Sequence, residues 1–179
     1  NMATYQRNMP TVFTFDDHEL VNDLRGCGTT GFRERRAVFR DIGIRAWEDY
    51  AGWANPYETT QDIHFGKATL KKGSDVLVDE STDFTKIDLK QAANLHVHWG
   101  KITSGEDDIR LDNEPPGNPN AGVFGIAEVI DAHRLRITPA AYAVGNGSYS
   151  IGRQSYGKFT VANCDYFILD CKTNRQMHD

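Results

Sequence analysis

Residues 123–137 read VFGIAEVIDAHRLRI, and this stretch decides the fold class of the middle of the chain. Two runs rich in β-branched and other apolar residues flank a polar turn at 131–133, which is the pattern of a β-hairpin. Short runs of the same kind occur at 76–78 and 95–99, each after a polar stretch. About five or six such strands without a convincing helix predict a small antiparallel barrel or sandwich over residues 61–148.

The residues before this region predict a strand followed by a helix. Thr11–Phe15 is a short β-branched and aromatic run, typical of a strand. From Phe32 onward apolar residues recur at three- and four-residue spacing, which predicts an amphipathic helix that ends at Asn55–Pro56. We expect its apolar stripe to lie in the core: Phe32, Phe39, Ile42, Ala46, Trp47, Tyr50 and Trp53.

Two more predicted strands follow the β-rich region, at 156–161 and 166–169. The second is apolar on both faces, as in a strand buried inside a layered α/β domain. Asp170 stands at its carboxyl end, where such sheets carry their sites.

The predicted elements give a mixed α+β chain in two parts. Residues 1–60 and 149–179 are expected to form one unit, and residues 61–148 a β-rich module inserted into it.

Composition excludes several classes of protein. Of the 179 residues 39% are hydrophobic and 25% are charged, which is a globular and not a disordered balance. Lys and Arg number 20 against 25 Asp and Glu, and this acidic balance argues against nucleic acid as the main partner. No run approaches about 18 apolar residues, so no membrane span is predicted.

Three cysteines in no disulfide spacing favour reduced or buried thiols over a disulfide framework. The sequence leaves the localisation open.

The tract Asp16-Asp17-His18-Glu19 places three carboxylates and one imidazole directly after the first predicted strand. Side chains alternate at a strand end, so Asp17 and Glu19 should project together and His18 apart from them. Carboxylate oxygens suit hard divalent cations, and imidazole suits zinc, iron or manganese. The tract is therefore either a metal site with His18 free for proton transfer, or a polar loop with an N-cap aspartate.

Two blocks of the chain resemble a known family. The run FTFDDHELVND at 13–23 resembles the tWDDHE…N(N/D) signature of alkaline phosphatase D-like metallophosphatases, in the calcineurin-like phosphoesterase superfamily. The following arginine-bearing helix, with Tyr50 and then Pro56, is similar to the next block of that family. YGKF at 156–159 and FILDCKTNR at 167–175 resemble its Y-x-F…hhLDxRxxR strand pair.

This resemblance implies a metal-dependent phosphoric ester hydrolase, either a phosphomonoesterase or a phosphodiesterase. Asp17, together with Asp16 and Asn22, would hold calcium, iron, zinc or manganese, and His18 would help to protonate the leaving oxygen of a phosphate ester substrate. Arg175 falls on an arginine of the family, and either a phosphate contact or a structural ion pair is expected there. The implied fold is a partial metallophosphatase α/β sandwich core, interrupted by a small antiparallel β-barrel-like insertion.

The family's first metal block, a Gly-Asp strand end, is not found before residue 11, and its last Gly-x-His block is not found after residue 175. The resemblance therefore implies an internal fragment of a phosphatase. We expect this chain alone to be inactive or nearly so.

The inserted region supports a second hypothesis of a different class. Ser74–Leu77, Asp79–Phe84, Gly122–Ile126 and Leu135–Pro139 resemble small β-barrel modules of bacteriophage virion proteins. Such a module would bind a protein partner or cover the rim of the active site. The alternative function is thus a non-catalytic binding or structural module, with the phosphatase-like part as scaffold.

The string HVHWG at 96–100 raises another possibility. In a strand His96 and His98 face the same side, a spacing suited to zinc, and the string resembles the HxHWG of α-type carbonic anhydrases. That family requires a third histidine in a Glu-x-His context, and neither His133 nor His178 has it. Exposed strand histidines are the better expectation.

Overall fold

The computed structural model describes residues 2–20, 24–98 and 119–177. The chain is mixed α+β, and strands make up most of its regular structure. The helical elements are α1 (Met2–Asn8), α2 (Arg35–Trp47), a π-helical turn (Glu48–Gly52) that continues α2, and a 3₁₀ turn (Phe84–Lys86). The strands are β1 (His64–Leu70), β2 (Val76–Val78), β3 (Ala92–Val97), β4 (Gly122–Asp131), β5 (Arg134–Thr138), β6 (Gly145–Arg153), β7 (Gly157–Val161) and β8 (Cys164–Ile168).

Strands β1 to β6 close into an antiparallel barrel in the order β1-β2-β5-β4-β3-β6, and β6 pairs back onto β1. The prediction of a small barrel is confirmed. The hairpin expected within residues 123–137 is β4–β5, where Ile126 lies opposite Ile137. Closure matters because it leaves the sheet without an open edge that could pair with another chain.

The barrel is filled by the side chains that alternate to its inner face. In β5, for example, Leu135 and Ile137 are buried while Arg134 and Thr138 are exposed. Each such large apolar side chain contributes roughly 1.5–3 kcal/mol on burial. The core residues are Ala68, Leu70, Leu77, Phe84, Leu95, Val97, Phe124, Leu135, Ile137, Ala141, Tyr149 and Ile151.

Strand β6 crosses the expected boundary between the inserted module and the second flank. The sequence places that boundary at residue 149, whereas β6 runs Gly145–Arg153 and pairs with β1 and β3. Residues 149–153 are thus part of the barrel sheet, and the flank that follows consists of the hairpin β7–β8 and the tail after it.

Helix α2 is confirmed, but its predicted core stripe is at most half-buried. Phe32, Phe39, Ile42 and Trp47 are half-buried and Ala46 is exposed. The fully buried apolar residues of the helix, Ala37, Val38 and Ile44, lie outside that stripe, while Tyr50 and Trp53 are 88% and 78% exposed. For Tyr50 and Trp53 the reason is the π-helical turn. Its i→i+5 bonds replace i→i+4 bonds, so the residues that follow rotate out of the helical register.

The strand predicted at Thr11–Phe15 is wrong: this segment pairs with no strand among the described residues. The side chain of Asn55 satisfies its backbone instead. Asn55 Nδ2 donates to the Phe13 carbonyl at 2.6 Å, and Phe13 N donates to Asn55 Oδ1 at 3.3 Å. Asparagine here takes the place of a neighbouring strand as hydrogen-bond partner.

The expectation that residues 166–169 form a buried strand is also wrong. β8 pairs only with β7, and Phe167 and Leu169 are 66% and 72% exposed. An apolar strand needs a second layer to cover it, and the described residues place no such layer there. The expectation of a partial metallophosphatase α/β sandwich core therefore remains a proposal.

All three cysteines are free, Cys27 buried and the other two exposed, as the spacing predicts. Among the described residues no helix has the length and apolarity to span a membrane.

Candidate functional site

The acidic tract forms a tight turn. Leu20 N donates to the Asp17 carbonyl at 2.9 Å, and Asp16 N donates to Glu19 Oε2 at 2.7 Å. The Asp17 side chain is largely buried at 13% exposure, whereas that of His18 is 72% exposed. The imidazole Nε2 lies 4.0 Å from Asp17 Oδ2, so His18 faces solvent beside an anchored carboxylate.

A lysine from the far end of the chain neutralises this tract. Lys172 Nζ lies 2.6 Å from Asp16 Oδ1 and 3.2 Å from Asp17 Oδ1, and its side chain is only 7% exposed. Burial alone would raise the pKa of Asp17, but the hydrogen bond and charge of Lys172, together with a backbone hydrogen bond, outweigh it and the pKa lies below its usual value. Burial likewise would lower the pKa of Lys172, and the two carboxylates raise it instead. Asn22, the third expected metal ligand, lies outside the described residues.

Backbone contacts also tie the tail to the loop after the tract. Gly28 N donates to the Arg175 carbonyl at 3.0 Å, and Met177 N donates to Thr29 Oγ1 at 2.7 Å. The two blocks that resemble the phosphatase family therefore meet in space, although Asp17 and Lys172 are 155 positions apart. Arg175 is exposed and contributes its carbonyl to this contact.

Asp170, which the sequence marked as a site position, holds the tail turn together. Its carboxylate accepts hydrogen bonds from the backbone N–H of Ser155 at 3.0 Å, Lys172 at 3.2 Å and Thr173 at 2.9 Å. Oδ2 also lies 3.5 Å from Arg40 Nη2. Asp170 thus sets the position from which Lys172 reaches the tract.

A buried polar group, here called the seam cluster, joins α2 to the barrel. Its members are Arg40, Asp41, His96, His98 and Ser150. Arg40 Nη1 lies 2.5 Å from Asp41 Oδ1, Nη2 donates to the Arg153 carbonyl at 3.0 Å, and both side chains are fully buried. Gly152 of β6 makes room for the pair, because a Cβ there would lie 2.6 Å from Arg40 Nη1.

Two histidines, His96 in β3 and His98 directly after it, complete the seam cluster. His96 Nδ1 lies 2.9 Å from Asp41 Oδ2, and its Nε2 lies 3.3 Å from the Cys27 carbonyl. Ser150 Oγ donates to Asp41 Oδ2 at 2.6 Å, so its one proton is used and His98 Nε2 donates to Ser150 Oγ at 2.9 Å. Burial lowers the pKa of His98 to about 4. Burial alone would raise the pKa of Asp41, but the neighbouring His96 and Arg40 hold it well below its usual range.

The geometry of the seam cluster fits a structural role and does not fit nucleophilic catalysis. Ser150 is fully buried and gives its proton to a carboxylate, whereas an activated serine gives its proton to a base beside an open site. Burial raises the pKa of the Cys27 thiol to about 12, so no reactive thiolate forms at neutral pH.

The expectation of exposed histidines in β3 is wrong. His96 and His98 are 1% and 6% exposed, because Asp41 of α2 lies against His96 and Ser150 of the neighbouring strand β6 bonds to His98. His133, the candidate third zinc ligand, instead lies 2.8 Å through Nδ1 from the Thr82 carbonyl, and His178 lies outside the described residues. The structure thus offers nothing in favour of a carbonic anhydrase site.

The acidic tract fits a cation in kind but supplies few ligands. Asp16 and Asp17 already hold one positive group, the Lys172 ammonium, at 2.6 and 3.2 Å, and carboxylate oxygens are also ligands for hard cations. Within residues 2–20, 24–98 and 119–177 no group of three or more His, Cys, Asp or Glu is arranged to hold a metal ion. Two carboxylates and an exposed imidazole are thus part of a centre at most.

Comparison of the chain with known protein families, curated proteins and solved structures found no match. Any role for the barrel and the two charged clusters therefore has to be inferred from their geometry alone. The likeness of residues 13–23 and 167–175 to a phosphatase signature remains an expectation.

Sequence reasoning found the acidic tract but missed Lys172 and the seam cluster. Lys172 could have been found only through contact between the two family-like blocks. Arg40 and Asp41 lie outside the apolar stripe expected of α2, so the pattern assigned them to exposed faces, yet both are fully buried. The one available signal was the same-face spacing of His96 and His98.

Proposed function

We propose that this chain is part of a metal-dependent phosphoric ester hydrolase, to which it contributes Asp17 and His18. The observation that carries the proposal is the meeting of the two family-like blocks at the Lys172 ammonium. A point that already binds a positive charge between two carboxylates is suited to a calcium, iron, zinc or manganese ion. When bound, such ions activate hydroxide and offset phosphoryl charge.

The chain's own residues have distinct parts in this proposal. Asp17 is anchored and largely buried, so it holds its carboxylate in a fixed direction, and Asp16 lies beside it on the exposed side. His18 is exposed, so it can meet a phosphate ester and give a proton to its leaving oxygen. Arg175, exposed on the neighbouring tail, is the candidate contact to the phosphate.

The described residues supply too few ligands for two cations. We therefore propose that further ligands come from polypeptide outside the described residues, and that the 179-residue chain alone turns over little or no phosphate ester. The carboxylates would leave Lys172 and take up the metal as those ligands arrive.

Hydrolysis of nitrophenyl phosphate and of bis-nitrophenyl phosphate tests this. The chain is assayed with added calcium, manganese, zinc or iron beside any longer natural polypeptide that contains it. We expect turnover only from the longer polypeptide, lost in Asp17→Ala and reduced about 10²–10⁴-fold in His18→Ala. Glu58→Ala, an exposed carboxylate elsewhere, is the matched control and should keep full activity. Comparable turnover by the short chain, or an active Asp17→Ala enzyme, would contradict the proposal.

A second function is favoured by one observation, the neutralisation of Asp16 and Asp17 by Lys172, a residue of this same chain. In this alternative the closed barrel is the working part, it binds a protein partner, and the tract is only a polar turn. Metal content separates the two functions. Metal that co-purifies with the longest natural polypeptide and is lost in Asp17→Ala favours the hydrolase, whereas metal-free protein with a native Asp17→Ala variant favours the module.

A further inference from the structure

Trp53 stands out of the protein surface where the sequence predicts it in the core. Its side chain and that of Tyr50 are 78% and 88% exposed, although a tryptophan normally buries most of its large apolar surface. The backbone before Trp53 is fixed from inside. A Cβ on Gly52 would lie 2.1 Å from Trp47 Cζ3, and the Trp47 ring packs edge-on against Phe15 at 5.2 Å.

The exposed position of Trp53 follows directly from the π-helical turn Glu48–Gly52. Such turns are rare and recur at functional sites. A π-helical turn that holds an indole in solvent is therefore a reason to look for what the indole binds.

A polar cleft of about 310 Å³ opens on one side of Trp53. Arg153 is held at its floor, with Nη2 2.5 Å from Glu48 Oε1 and the guanidinium 5.2 Å above the ring of Tyr57. Arg153 is 9% exposed, so this part of the cleft is rigid.

The rim of the cleft carries exposed groups whose ion pairs are long. Asp62 is 81% exposed, and its Oδ1 lies 3.7 Å from Arg153 Nη1 and 3.9 Å from Arg45 Nη1. Asp49 is 57% exposed, and Arg45 Nε lies 3.6 Å from its Oδ1. Acceptors and a donor thus alternate around the indole at distances too long for strong pairing among themselves.

The other side of Trp53 is apolar. A second cleft, of about 510 Å³, is lined there by Met9, Phe13, Tyr50 and Ala54 among others. Trp53 therefore lines both a polar cleft and a more apolar one, and most of its surface is exposed.

The charges of the polar cleft select the class of ligand. Two arginines face three carboxylates, so a phosphate or a nucleic acid would meet repulsion, and a cation would meet the guanidinium groups. A hydroxyl group both donates and accepts, and therefore suits a wall where carboxylates and guanidinium alternate. A flat C–H face beside such hydroxyls suits an exposed indole.

We propose that the Trp53 cleft binds a neutral carbohydrate, with one sugar face stacked on Trp53 and its hydroxyls on Asp49, Asp62 and Arg45. The site stands apart from the acidic tract, and the proposal does not depend on phosphatase activity.

Neutral oligosaccharides of the hexose, N-acetylhexosamine and pentose series, immobilised as an array, are the probes. Members that bind are then titrated against the full chain by calorimetry. We expect dissociation constants between about 10 μM and 5 mM, at least about tenfold weaker in Trp53→Ala and several-fold weaker in Asp62→Ala. Trp53→Phe should retain part of the affinity. Phe167→Ala, which removes an equally exposed aromatic ring elsewhere, should bind as wild type.

Both Trp53 and Asp62 are largely exposed, so these variants should keep the wild-type melting temperature, and Trp53→Phe guards against a fold change in Trp53→Ala. The proposal is overturned if no member of the three series binds at about 10 mM, or if Trp53→Ala binds as tightly as wild type. A single-stranded oligonucleotide or an acidic polysaccharide that binds better than every neutral glycan also overturns it.

Discussion

Two charged clusters tie the tail of the chain to the rest of the molecule, and they differ in their surroundings. In the seam cluster Arg40 and Asp41 are fully buried, and contacts from α2, β3, β6 and the tail surround them. At the acidic tract Lys172 and Asp17 are largely buried, but the Asp16 side chain is 64% exposed. Water or an ion can therefore replace a lost partner at Asp16, whereas neither Arg40 nor Asp41 is open to solvent.

This difference separates a structural role from a role in binding. Removing one member of a buried ionic group leaves its partner uncompensated in low dielectric, which costs several kcal/mol. Removing one member of a surface group costs little because solvent and ions take its place. A ligand or metal can displace a charged partner only where the loss of that partner costs little free energy. A binding role is therefore expected at the acidic tract and not at the seam cluster.

The largest effect should come from Arg40→Met. The variant keeps the length of the side chain but leaves Asp41 and Asp170 buried without their guanidinium, so the free energy of unfolding should fall by about 3–5 kcal/mol. Urea unfolding followed by circular dichroism measures it.

The matched control for Arg40→Met is Arg45→Met on the same helix. Arg45 is 47% exposed and its ion pairs are 3.6 and 3.9 Å long, so the expected loss is below about 1 kcal/mol. If Arg40→Met and Arg45→Met lose the same amount of unfolding free energy, the distinction between the buried seam cluster and the surface ion pairs does not hold.

The second prediction concerns pH. The pKa of His98 is about 4 in the folded chain and about 6.5 when unfolded. Between these values the unfolded chain binds a proton that the folded chain does not, so stability falls as pH falls. The contribution is complete above pH 6.5, and about 3 kcal/mol is lost by pH 4.

Unfolding free energies of wild type and His98→Asn, measured from pH 7 to pH 4, isolate this effect. His98→Asn keeps a donor toward Ser150 but cannot titrate, so its stability should change less over that range. Burial also lowers the pKa of His64 in both proteins, and the difference between them cancels that contribution. The pKa of Asp79 lies at about 2, so its stabilising effect fades mainly below this window. Parallel curves for the two proteins would mean that His98 is not buried as described.

The two clusters were not equally open to prediction from the sequence. Strand alternation within residues 123–137 was enough for the hairpin and the barrel, because inner and outer faces follow the period of two. The same rule gave the wrong exposure for His96, since it says which side chains share a face but not that α2 covers it.

Local pattern failed where a distant partner decides the outcome. Thr11–Phe15 has strand composition, yet Asn55 satisfies Phe13 in place of a strand. Tyr50 and Trp53 continue the apolar spacing of α2, yet a π-helical turn carries them into solvent. At the site, chemistry-bearing residue types marked Asp16 to Glu19, whereas the reach of Lys172 depends on how Asp170 folds the tail.

The smallest effect should come from Lys172→Met at the acidic tract. Loss of the ammonium leaves Asp16 beside Asp17 with no cation, and the expected fall in unfolding free energy is about 1 kcal/mol, because Asp16 faces solvent. Its dependence on salt is more informative than its size. Raising salt from about 0.05 M to about 0.5 M weakens the Lys172 attraction in wild type but relieves carboxylate repulsion in the variant, so the difference in stability between the two should shrink. Lys67→Met, at an exposed lysine of β1, should differ from wild type by the same amount at both salt concentrations.

Manganese tests whether a metal can take the place of the Lys172 ammonium. If millimolar manganese raises the melting temperature of Lys172→Met but not that of wild type or of Lys172→Met/Asp17→Asn, the ammonium and the metal compete for the same carboxylates. A melting temperature unmoved by manganese in all three would leave the tract a polar turn, and the surface cluster would then be as purely structural as the buried one.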